Sequence, residues 1–179
     1  TLATYMGTKI TGGSMVFIAS SGAISSGTAT VTFDDDDFDA TKFDHYIFML
    51  QNVLPVTDNV TFLCQISTDG GSNFSTTDGD YHGQPSADQI GFHLGIEIAS
   101  DANYGTSGRF ELLAPHLTSR TYASFQGVSR DNAARIFAAR DKERGQVHLQ
   151  AADVDTVRFL FHDGNIASGE IVMYGIANA

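Results

Sequence analysis

The segment Val157–Ala179, VRFLFHDGNIASGEIVMYGIANA, decides how this chain is read. Two apolar runs flank the turn-forming residues His162 to Asn165, so the segment reads as a terminal β-hairpin. A hairpin with one wet face alternates apolar and polar side chains. Val157, Phe159 and Phe161 do alternate with Arg158 and His162, with Leu160 out of pattern. The returning run does not alternate, because Val172, Tyr174 and Ile176 lie on one side and Ile171 and Met173 on the other. One face of the hairpin therefore belongs to a core, and the other has to be covered by a loop or by another chain.

The remainder of the sequence supplies that core. Its 179 residues suit one domain spanning 1–179. The 18 glycines, 11% aromatic content and only 17% charged residues favour short strands and glycine-rich turns over helices. Strand signals recur at SMVFIAS (14–20), TATVTF (28–33), HYIFMLQNVL (45–54), NVTFLCQIS (59–67), GRFELL (108–113), TYASFQGV (121–128) and QVHLQ (146–150). In IGFHLGIEI (90–98), Ile90, Phe92, Leu94, Ile96 and Ile98 take one face and Gly91, His93, Gly95 and Glu97 the other. DNAARIFAARDKERG (131–145) has some helical spacing but reads better as a strand and charged turn, with the next strand at hairpin distance. From Ser72 to Gln89 the chain reads as a polar surface excursion. About ten short strands without a long helix predict an all-β fold, an antiparallel β-sandwich of jelly-roll type.

A formal net charge of -11 argues against nucleic acid or an anionic membrane as partner. No apolar run approaches the roughly 18 residues that a spanning helix needs. The positive charge is concentrated late in the chain, and Arg130, Arg135, Arg140, Lys142 and Arg144 form a candidate docking patch. A single cysteine, Cys64, excludes an intrachain disulfide and sits at an inward strand position as a buried, inert thiol. No basic stretch precedes an apolar run in the manner of a signal peptide, so assembly in a cytoplasm is expected.

Chemistry-bearing patterns are few. The six histidines are scattered without metal-ligand spacing, and no nucleophile elbow or phosphate loop occurs. Asp34 to Asp37 lack the ligand spacing and glycine of a calcium loop and read as an acidic turn. Asp78, Asp80, Tyr81 and His82 form the best candidate loop for a partner or a glycan, with the acidic side chains and His82 on one face of an extended segment. The reading is a protein that is not an enzyme and holds neither cofactor nor metal.

Two blocks resemble a known class. FDHYIFMLQNVLPVTDNVTFLCQISTDGGSNF (43–74) and VRFLFHDGNIASGEIVMYGI (157–176) are similar, in sequence, order and separation, to stretches of small tailed-bacteriophage virion structural proteins. Tyr81-His82-Gly83 and the FQGVS run (125–129) resemble the same proteins more loosely. The resemblance implies a β-sandwich carried on the virion and assembled in the host cytoplasm, as a capsid decoration or as part of a tail or fibre. It brings no catalytic residues. It implies a homo-oligomer, with a trimer as the expected number, and Val172, Tyr174, Ile176 and Leu160 are the candidate subunit interface. Partners are then capsid or tail proteins, with host-surface glycan as the alternative. A tail fibre needs a long repetitive shaft, and the absence of any repeat here favours decoration. Gly164, Gly169 and Gly175 are expected where the backbone needs freedom or close approach.

Overall fold

The structure, a computed structural model, describes residues 13–83, 89–102, 104–131, 133, 135–138 and 145–178. Twelve strands run through them: β1 (Met15–Ser20), β2 (Val31–Phe33), β3 (Phe43–Pro55), β4 (Val60–Ser67), β5 (Tyr81–His82), β6 (Phe92–Ile98), β7 (Thr106–Leu113), β8 (Arg120–Arg130), β9 (Ile136–Ala138), β10 (Gln146–Ala151), β11 (Thr156–Phe161) and β12 (Ile166–Ala177). All recorded pairings are antiparallel. The larger sheet has the order β1-β12-β3-β7-β8-β10-β5, with β9 also paired to β8. The smaller sheet is β2-β11-β4-β6.

Setting aside β5, β8, β9 and β10 leaves eight strands that alternate between the sheets as a jelly roll does. Numbered in chain order they lie 1-8-3-6 and 2-7-4-5, a long hairpin folded double so that first pairs with last. The four additional strands widen the larger sheet beyond β7. Strands β3 and β12, at 13 and 12 residues, are longer than the short strands expected from the sequence.

The terminal segment is not a hairpin. β11 lies between β2 and β4 in the smaller sheet, whereas β12 lies between β1 and β3 in the larger one. His162 to Asn165 therefore form an arch from one layer to the other. The Val56 N–H donates to the Asn165 carbonyl at 2.9 Å, so this arch packs on the Pro55 to Asp58 turn, which makes the same crossing from β3 to β4. The turns of the two sequence blocks thus meet in space. β9 is a strand, as expected, but it pairs with β8 and not with β10. The basic turn proposed after it falls largely outside the described residues.

The layers enclose an aromatic core. Phe33, Phe48, Phe62 and Phe110 surround Phe159, with ring centroids 5.1–6.3 Å from it. Cys64 is buried, and burial pushes its thiol pKa well up. The layers are tied at one side by a side chain. Gln146 of β10 accepts from the His93 N–H at 2.6 Å and donates to the His93 carbonyl at 2.8 Å, satisfying the backbone edge of β6. His93, read from the sequence as outward, is buried at this junction of β6 with β10.

A candidate assembly face on the larger sheet

The register of the larger sheet aligns its outward side chains in rows. One row crosses the whole sheet: Met15, Ile176, His45, Leu113, Tyr122, Val147 and His82 stand on successive strands. The next row is Phe17, Tyr174, Ile47, Glu111 and Ser124. A third is Ser20, Val172, Met49, Arg109 and Gln126. Met15, Phe17 and Tyr122 are each more than half exposed, and Phe17 lies edge-on to Tyr174 at 6.0 Å.

Charge is scarce here. In these three rows the only acidic or permanently basic side chains are Arg109 and Glu111, which form an ion pair at 3.1 Å. Ser124 donates a further hydrogen bond to Glu111 at 3.0 Å. Glu170, the next outward position on β12, borders the third row and accepts from Ser20 Oγ at 2.6 Å, so a chain of formal charge -11 presents one broad side that is largely apolar and sparsely charged. At its β5 end the side dips into a shallow groove of about 350 Å³, lined by His82, Leu113, Tyr122, Gln146 and Val147.

Three of the four residues expected at an interface, Val172, Tyr174 and Ile176, stand on this side. Leu160 does not. It belongs to β11 in the smaller sheet, where it pairs with Leu63. Sequence reasoning missed Met15, Phe17, Ile47 and Met49. The available signal was in HYIFMLQ (45–51), which is apolar at both parities just as β12 is.

The proposed partner loop is dispersed. Tyr81 is fully buried, which removes it as a surface platform. Its hydroxyl accepts from the Ile66 N–H and donates to the Ser75 carbonyl, both at 3.1 Å, and its ring lies edge-on to Phe92. Asp78 and Asp80 occupy a turn rather than an extended segment, and their carboxylates accept from the Gln89 and Thr77 N–H groups. His82 is exposed, at the far end of the first row. Tyr81→Phe leaves a buried N–H and a half-buried carbonyl without that partner, and a loss of about 1–3 kcal/mol is expected in denaturant unfolding.

The basic patch is likewise divided. Arg130 pairs with Asp101 and stacks on Tyr104 at 4.5 Å. Arg135 binds Asp131, whose carboxylate is fully buried and accepts the Arg135 N–H at 2.8 Å and its Nε at 2.6 Å. Burial works to raise the Asp131 pKa, but these bonds and the guanidinium charge prevail and hold it below the usual range. Both arginines are thus locally neutralised. Arg140, Lys142 and Arg144 lie outside the described residues.

Among the described residues, no group of three or more His, Cys, Asp or Glu side chains is placed to hold a metal ion. Asp34 to Asp37 form a turn closed by the Asp37 N–H on the Asp34 carbonyl at 3.0 Å. Asp39, bonded by Lys42 and Thr41, has its pKa lowered to about 2. One linear array superficially resembles a catalytic relay. The Tyr46 hydroxyl lies 2.7 Å from His116 Nε2, and His116 Nδ1 lies 3.3 Å from Asp153. Tyr46 also accepts the Asp39 N–H at 2.8 Å and is fully buried, and burial foremost raises its pKa. A hydroxyl so enclosed braces three loops and is not presented to a substrate.

His148 gives a pH response. Its Nε2 lies 3.0 Å from Ser75 Oγ, and burial lowers its pKa from the ordinary 6.5. The unfolded chain then binds this proton before the folded one. The stabilisation is complete above pH 6.5 and falls away as pH drops toward the depressed folded value. A melting temperature that declines below pH 6.5, and declines less in His148→Gln, is the expected result.

Compared with protein-family models and with curated proteins, the chain matches none.

Proposed function

We propose that the protein is a non-catalytic structural component of a tailed-phage particle, an accessory protein that oligomerises on the capsid surface through the outer side of its larger sheet. The observation that carries this reading is the broad, charge-poor side on an otherwise acidic chain. Monomeric proteins rarely leave so continuous an apolar surface in water. The resemblance of residues 43–74 and 157–176 to small virion proteins supports the setting. Jelly rolls also serve as lectin and cupin domains, so the fold alone does not choose among these roles.

The test is the protein content of gradient-purified particles of the phage that encodes the chain. The wild type is expected at fixed stoichiometry, and Phe17→Asp is expected to be lost from the particle while remaining folded. Particles that lack the wild-type protein overturn the reading.

A tail-associated, glycan-binding role is the second reading. The groove beside the exposed ring of Tyr122 favours it, since such a ring can stack on a sugar. Binding to a glycan array that is abolished by Tyr122→Ala would select it.

A further inference from the structure

We infer that a second copy of this chain occupies the outer side of the larger sheet, packed face to face about a twofold axis that runs across the strands between Arg109 and Glu111. The inference rests on the docking role proposed above and adds the partner and its orientation.

The argument begins from charge. Two copies of a chain with formal charge -11 repel one another at long range, so close approach is least costly where each is neutral. The three central rows, bordered by the single carboxylate of Glu170, come nearest to that condition, and their one ion pair sits on β7, the fourth of the seven strands in the sheet path. A twofold axis relating two facing sheets has to lie in the plane between them. An axis along β7 would set Arg109 over Arg109 and Glu111 over Glu111. An axis across the strands sets Arg109 of each copy over Glu111 of the other. The order of the two charges therefore selects the second orientation.

The flanking residues agree with it. The same axis brings the second row of one copy over the third row of the other. Ile47 then lies over Met49, Tyr174 over Val172, and Ser124 over Gln126. At these three positions apolar meets apolar or polar meets polar, as expected of an isologous contact, while at the β1 edge Phe17 lies over Ser20. The packing is that of two sheets in a sandwich, at about 10 Å.

The test uses charge reversal and light scattering across a concentration series, with near-ultraviolet circular dichroism as the control for folding. The wild type is expected at the mass of a dimer. Arg109→Glu makes the central pair wholly acidic and Glu111→Arg makes it wholly basic. Each variant alone is expected to associate at least tenfold more weakly. Their equimolar mixture is expected to recover the dimer, because an acidic face then meets a basic one. Wild-type protein that stays monomeric, variants that dimerise as the wild type does, or a mixture no heavier than its components would each overturn the inference. If either variant fails to fold, Phe17→Ser, at a largely exposed position, takes its place and is expected to weaken the dimer; a dimer unaffected by it overturns the inference. A solution monomer that is nevertheless found on particles removes this inference and leaves the docking role. A solution dimer absent from particles does the reverse.

Discussion

Phe159→Ala is expected to lower the unfolding free energy by about 3–5 kcal/mol, the largest effect of any single truncation considered. The ring is fully buried on the inner face of β11, the second strand of the smaller sheet. It touches Phe33 and Phe62 within its own layer and Phe48 and Phe110 across the core. Removing it costs the transfer of the ring and leaves a cavity lined by four rigid rings, which collapse poorly around the gap. In a domain of this size the melting temperature should fall by roughly 10 °C. Leu117→Ala is the control. That side chain is largely exposed in the loop between β7 and β8, so a change below about 1 kcal/mol is expected. Equal losses at the two positions would mean that the layers are not packed on Phe159 as described.

Gly169→Ala should cost about 3 kcal/mol or more. Gly169 has φ near 125°, a conformation that side chains resist. An added Cβ would lie 2.7 Å from Val53 Cα and 2.9 Å from the Asn52 carbonyl oxygen. These are backbone atoms of the neighbouring strand β3, where the pairing with β12 is irregular, and they have no rotamer into which to move. Strain and overpacking therefore add. Gly175 is tight for a different reason, because its missing Cβ leaves room for the ring of Phe43. Chemical denaturation of Gly169→Ala should show a lower midpoint with an unchanged slope. A neutral substitution would mean that β3 and β12 are further apart.

The extent to which the sequence conveyed this fold depends on the range of the interactions. Phe62, Cys64 and Ile66 announce β4 by alternation, and all three are buried as expected. Pro55 ends β3, since it has no N–H for a ladder. The misreading of the terminal segment has a physical cause. An arch between layers and a hairpin within one layer use the same turn residues, and the strands on either side alternate alike. Only the pairing partners distinguish the two. Tyr81 was misplaced because its partners, the Ile66 N–H and the Ser75 carbonyl, are supplied by the fold and not by neighbours on its own strand. Val172, Tyr174 and Ile176 were legible as a side needing cover. That Phe17, Ile47 and Met49 continue the same surface required the order β1-β12-β3, which periodicity does not encode.

The measurement that tests the central claim most directly is hydroxyl-radical footprinting of the protein, free and assembled. The proposed face carries oxidisable side chains in Met15, Phe17, Met49 and Tyr122, all of them exposed in the isolated chain. Tyr104 and Leu117, exposed in loops and part of none of the three rows, serve as internal controls. Assembly is expected to protect the first group and leave the second unchanged. Unchanged oxidation of Met15, Phe17 and Met49 in the assembled form, with Tyr104 or Leu117 protected instead, would contradict the account.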